Sequence, residues 1–189
     1  MSVGLAALVL ISLLLGSCAT LPKPVSRQSQ VAVYDAVLQA WLGADHRPAL
    51  VDRRLLPAPS AVDRNDSNCM RGVDFHPAAG GSSALRSLRG VSFARKGVRV
   101  IDGAIWKPVD PLMPHRVGDG PRTLNQAIDR AMGHSLITFS QIRFDTSRRW
   151  ALLRFSSVCG ALCGAGSTYL MHKNSSRWTV FKRCNGWVS

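Results

Sequence analysis

Five cysteines carry the most reactive side chains of this 189-residue chain: Cys18, Cys69, Cys159, Cys163 and Cys184. The last four form an even set, and such a set can bridge, exchange electrons or hold a metal. Redox exchange of the thioredoxin type uses C-x-x-C, whereas Cys159-Gly160-Ala161-Leu162-Cys163-Gly164 has one residue more between its thiols. Structural zinc needs four ligands at Cys/His spacings. His46, His76, His115, His134 and His172 supply no such pair, so no metal and no cofactor are expected. Structural disulfides are the favoured reading. Four cysteines allow three connectivities. The glycines of the 159–164 segment imply a bend that brings Cys159 and Cys163 within bonding range, which leaves Cys69 for Cys184.

Other chemistries find less support. A nucleophile elbow G-x-S-x-G is absent, and Gly80-Gly81-Ser82-Ser83 reads as a loop. The sequence contains no Glu, so a paired-carboxylate mechanism would rest on Asp. Asp102, Asp110 and Asp119 stand among prolines and glycines and read as solvated turn residues. No phosphate-cradling glycine loop of the P-loop type is present. Binding chemistry has more to work with. Lys and Arg number 24 against 11 acids, a net charge of +13, which attracts polyanions. Arg53-Arg54 and Arg148-Arg149 are the candidate anion-binding pairs, with Arg95-Lys96 and Lys182-Arg183 beside them. Arginine's planar fork suits phosphate and carboxylate.

Residues Val3 to Leu15 are apolar apart from Ser12. The stretch is shorter than the roughly 20 residues that span a bilayer and has the length of a signal-peptide core. It runs into Leu15-Gly16-Ser17-Cys18, which resembles a bacterial lipobox. That resemblance implies cleavage after residue 17, a diacylglyceryl group on the Cys18 sulfur and a membrane held as partner through that lipid. Ala19 and Thr20 follow in place of the Asp that marks inner-membrane retention, which points to the outer membrane. An exported chain meets an oxidising compartment, where disulfides persist, and is kept from nucleic acid.

The positioning elements follow from periodicity. Residues 1–17 are the expected signal peptide and 18–30 an extended tether with Pro22 and Pro24. A single α+β domain is expected over 31–189, with an irregular middle at 57–121. Tyr34, Val37, Leu38, Trp41 and Leu42 recur at helical spacing, so 31–43 reads as a helix stopped by Gly43. Residues 48–56 read as a strand and 57–82 as a long loop pinned by Cys69. A short helix is expected over 83–90, a strand over 91–101 and a helix over 122–132. Strands are expected at 135–144, 150–158, 166–173 and 177–183, with turns at Asp145-Thr146-Ser147-Arg148 and Asn174-Ser175-Ser176. Short connections make them an antiparallel four-strand meander, so the picture is an N-terminal helix on a mostly antiparallel sheet.

About 55 residues from Leu136 onward carry a resemblance. Ser140-Gln141-Ile142-Arg143-Phe144-Asp145, Ala151-Leu152-Leu153, Cys159-Gly160-Ala161-Leu162-Cys163-Gly164-Ala165-Gly166 and Trp187-Val188-Ser189 are similar to a group of uncharacterised bacterial envelope proteins. Tyr34 to Leu38 and Leu50-Val51 fit the same layout. The resemblance implies a sheet-rich α+β domain and no activity. The functional expectation is therefore an envelope lipoprotein that binds or braces, its partner an anionic envelope component. A periplasm-facing hydrolase is the competing reading.

Overall fold

The computed structural model describes residues 25–43, 48–60, 64–82, 85–108, 126, 132–160 and 163–189. Strands make up 46% of them. Two helices have both ends among the described residues, α1 (Arg27–Leu42) and the short α2 (Arg64–Met70). The architecture is thus mostly β, where an α+β chain was expected. Cys18 and most of the tether and of the 122–132 helix lie outside the described residues. No helix among the described residues is long and apolar enough to cross a membrane.

Helix α1 begins four residues before its expected start, inside the segment read as tether. Ser26 caps it: its hydroxyl accepts the Ser29 N–H at 3.2 Å, satisfying an otherwise orphan donor. Gly43 ends it with φ 57°, a left-handed geometry that glycine adopts without strain. Val33, Tyr34, Val37 and Leu38 are buried, and Trp41 and Leu42 are half-buried beside them. The Tyr34 ring meets Phe139 at 4.9 Å, and the Trp41 ring meets Phe155 at 4.9 Å.

The strands are β1 (Ala49–Leu56), β2 (Pro77–Ser82), β3 (Val98–Ile101), β4 (Leu136–Ser140), β5 (Arg143–Asp145), β6 (Trp150–Gly160), β7 (Cys163–Asn174) and β8 (Arg177–Val188). They form one open mixed sheet. β6, β7 and β8 are three of the four strands of the expected antiparallel meander. β1 runs parallel to both β3 and β4, which makes the sheet mixed, while the other five strand pairings are antiparallel. The strand expected at 135–144 is broken in two. β4 pairs with the second half of β6 and β5 with the first half. Between them Ser140 interrupts the β4–β6 ladder: its hydroxyl accepts the Arg154 N–H at 2.8 Å and its carbonyl accepts the Tyr34 hydroxyl at 3.0 Å. The β5–β6 turn is built on buried Asp145, whose carboxylate accepts the Trp150 N–H at 2.8 Å and the Ser147 N–H at 3.1 Å.

Both disulfides have the expected pairing. Cys69–Cys184 joins α2 to β8 with Cα atoms 5.6 Å apart, and Cys159–Cys163 closes the β6–β7 end at 5.2 Å. The region read as a long loop contains α2 and β2. The Asn, Asp and Ser residues of α2 are poor helix formers, but Cys69 and Asp66 are both fully buried, so tertiary contacts hold the turn. β2 includes Gly80 and Gly81, read from sequence as loop. The helix expected at 83–90 is absent from 85–90. There Ser87 bridges Arg54, and the buried Leu88 donates its N–H to Arg53 O at 2.7 Å. Leu88 joins the core from this irregular segment, with Leu85 buried beside it in sequence. The strand expected over 91–101 shrinks to β3. The Ala94 N–H is taken by Asp35, at 3.1 Å, and Gly97 turns with φ 83°.

Candidate functional site

Strand alternation divides the sheet into two chemistries. Phe139, Phe155 and Tyr169 belong to the buried cluster that also holds Val33, Tyr34, Val37 and Leu38. One residue along, the other face carries a second, smaller core of Leu152, Leu170, Cys69 and Phe75 and is polar beyond it. Thr138 of β4 lies opposite Ser156 of β6, Ser156 opposite Gly166 of β7, and Gly166 opposite Trp187 of β8. Arg154 and Thr168 form the next cross-strand pair. Thr138, Arg154, Ser156, Thr168 and Trp187 line a groove of about 490 Å³, with Asp66 of α2 at one end. That volume lies within the range of small-molecule sites.

Glycine shapes this groove. The Trp187 indole folds back over β7, within 3.1 Å of where a Cβ on Gly164 would sit and closer still to one on Gly166. The indole occupies the space that side chains at 164 and 166 would take, yet remains 45% exposed. A half-exposed ring presents a flat apolar face with a polar N–H at its rim.

The charge at the other end is balanced. The Asp66 carboxylate is fully buried and accepts from Arg154 Nη2 at 2.6 Å, from the Ser60 N–H at 3.0 Å and from Thr168 Oγ1 at 3.3 Å. Arg154 is 44% exposed along its side chain, so it reaches the groove with its charge already partnered.

The arginines singled out by sequence are not brought together here. Arg53 pairs with Asp102 at 2.6 Å, and Arg54 with Asp52 at 3.1 Å. Asp102, read from sequence as a solvated turn residue, thus anchors β1, while Asp110 and Asp119 lie outside the described residues. Burial raises the Asp52 carboxyl, but the Arg54 N–H, the Arg54 guanidinium and the Gly103 N–H outweigh it and hold it below the usual carboxylate range. Arg148 and Arg149 stand in the β5–β6 turn, where Arg148 adopts φ 58°. Lys182 reaches Asn68 O at 3.5 Å, and Arg183 lies over the Trp41 and Tyr169 rings. Of the histidines, His76 pairs with Asp74 on the surface at 2.6 Å, and the His172 ring packs on Trp150 at 4.2 Å. His46 and His115 lie outside the described residues. No group of three metal-ligating side chains occurs among the described residues.

Sequence reasoning missed Trp187, Arg154, Asp66 and Thr168 as site residues. One signal was present: glycines two apart in a strand, with a tryptophan at the matching distance in the next strand. That pattern marks a bulky ring lying across a strand. No family model, curated protein or solved structure matches the chain.

Proposed function

We propose that this chain is a lipoprotein of the bacterial cell envelope, held to the membrane through Cys18, that binds a polar ring-bearing ligand in the groove beside Trp187. The observation that carries the reading is the cross-strand row Thr138–Ser156–Gly166–Trp187. An exposed aromatic face beside aligned hydroxyls suits a ligand with an apolar ring face and hydroxyl groups at its edge, as in a sugar. Because Asp66 neutralises Arg154, the groove favours a neutral ligand over a polyanion. The net charge of +13 acts at longer range, drawing the domain toward an anionic envelope component, with the arginines at 148 and 149 contributing. Two disulfides accord with export. The outer membrane is the favoured location.

The carrier is read as one domain over 31–189 in which α1 covers one face of the sheet and leaves the polar part of the other for ligand. The Tyr34–Phe139 and Trp41–Phe155 ring contacts support it.

Two measurements test this. The protein is taken from its native membrane fraction, alkylated without reduction and weighed intact. A mass that starts at Cys18 with acyl chains and no alkylation is expected, and an unprocessed chain would refute the anchor. Separately, the purified protein is titrated with neutral oligosaccharides while tryptophan emission is followed. A saturable change that Trp187→Ala abolishes is expected. A flat titration would refute the groove.

A further inference from the structure

A second cavity lies on the α1 side of the sheet. Its volume is about 520 Å³, and its walls are Asp35 and Ala36 of α1, Arg95 of the loop before β3, and Arg177 and Trp178 of the β7–β8 hairpin. Two of these residues carry buried donors that have no acceptor among the described residues: Arg95 Nε, Arg95 Nη2 and Trp178 Nε1. Buried donors are almost always paired, and leaving one unpaired is costly. Both residues line this one cavity, the space from which an acceptor would have to come.

The geometry of Arg95 says which kind. Its Nη1 donates to Gly43 O, the carbonyl at the end of α1, at 3.0 Å. That bond anchors the guanidinium. Nε and Nη2 are the nitrogens of a single edge, whose two N–H bonds run parallel. Such an edge matches the two oxygens of a carboxylate or phosphate. Asp35 is the acid nearest in the lining, and its carboxylate is already engaged by the Ala94 N–H at 3.1 and 3.3 Å. Burial pushes its carboxyl above the usual range. Trp178 is 5% exposed, and its indole can donate but not accept. Arg95 and Arg177 outweigh Asp35, so the lining favours negative charge. Ala32 and Ala36, one helical turn apart, keep that wall open.

We propose that this cavity binds the oxyanion of a small ligand, a carboxylate or a phosphate, gripped on two oxygens by the Nε–Nη2 edge of Arg95, with the Trp178 indole N–H as a further donor. The site is separate from the Trp187 groove and stands or falls independently of it and of the lipid anchor.

The test uses the full chain labelled with nitrogen-15, followed through its indole N–H resonances during titration with acetate, inorganic phosphate and, as an ionic-strength control, chloride. Trp178→Phe removes one resonance and so identifies it. That resonance is expected to shift saturably with acetate, which would make the ligand a carboxylate, or with phosphate, which would make it a phosphate. Arg95→Lys keeps the charge but loses the fork and should weaken binding roughly tenfold or more. Asp35→Asn removes a like charge from the lining and should strengthen binding; it keeps the test open should Arg95→Lys disturb the fold. A Trp178 resonance that neither anion moves, or that follows acetate, phosphate and chloride alike, would overturn the proposal and assign the donors to water. Unchanged affinity in a folded Arg95→Lys variant would also overturn it.

Discussion

Arg154 on β6 and Asp66 on α2 meet at 2.6 Å, with the carboxylate fully buried and the guanidinium half in solvent. The asymmetry makes their substitutions unequal. Arg154→Ala strands a buried carboxylate on neutral donors and should cost about 2–4 kcal/mol. Asp66→Asn leaves an arginine that water can still reach and should cost about 1–2 kcal/mol. Urea denaturation midpoints of the two variants check the order. The reverse order would mean that solvent screens Asp66 as well.

The bridges should also differ. Cys69–Cys184 spans a sequence separation of 115 and Cys159–Cys163 one of 4. Chain entropy makes the longer loop worth more, by about 2–3 kcal/mol. Thermal melts of the Cys69→Ser/Cys184→Ser and Cys159→Ser/Cys163→Ser double variants should show the first melting lower. Reductant should lower the melting temperature of the parent protein, and an unchanged value would count against both bridges as stabilisers.

Gly166→Ala places a Cβ where the Trp187 indole lies. The ring must swing into solvent, at a cost of about 1–3 kcal/mol. The expected signature is a red-shifted, more quenchable emission component that disappears in Gly166→Ala/Trp187→Phe. Unaltered emission would show that the indole does not rest on that glycine.

The Tyr34 hydroxyl donates to Ser140 O at 3.0 Å within the core. Tyr34→Phe keeps the ring contact with Phe139 and deletes the donor, so about 1 kcal/mol should be lost. Chemical denaturation reads this directly, and a loss near zero would mean that another donor takes over the carbonyl.

Asp52 ties stability to pH. Its carboxyl is held below its usual range in the folded chain. An acid with a depressed folded pKa stabilises above its unfolded value, and that stability is lost as pH falls through the folded value. Stability should therefore decline below about pH 4, and Asp52→Asn should flatten that part of the profile while lowering stability at neutral pH. A profile with the same slope in both proteins would sever the link.

Local periodicity explains why α1 and the β6–β8 meander are readable in the sequence. Tyr34, Val37 and Leu38 repeat at helical steps, and alternate residues of β6 and β7 serve two cores. The disulfide pairing was readable because the glycines around Cys159 and Cys163 imply a bend that leaves Cys69 and Cys184 to each other. What escaped depends on distant partners. The break between β4 and β5 comes where the Ser140 carbonyl is taken by the Tyr34 hydroxyl, 106 residues away in sequence, and the Ser140 hydroxyl accepts the Arg154 N–H in its place. α2 forms from poor helix formers because its buried side chains hold it. The arginines of 53 and 54 look like an anion site until Asp102 and Asp52 are seen to hold them; the Arg53–Asp102 pairing crosses from β1 to the segment after β3, whereas Asp52 stands two residues from Arg54 in β1 itself.

Arg183 of the last strand lies over Trp41 of the first helix at 5.4 Å, and Trp178 of the same strand belongs to the core that α1 enters. Synthesis runs from the N-terminus, so α1 is made long before β8. Phe139 and Phe155 meet the helix first, and the flank beneath Arg183 and Trp178 gains its cover only when β8 has paired, so contacts of long sequence separation complete this core late in folding.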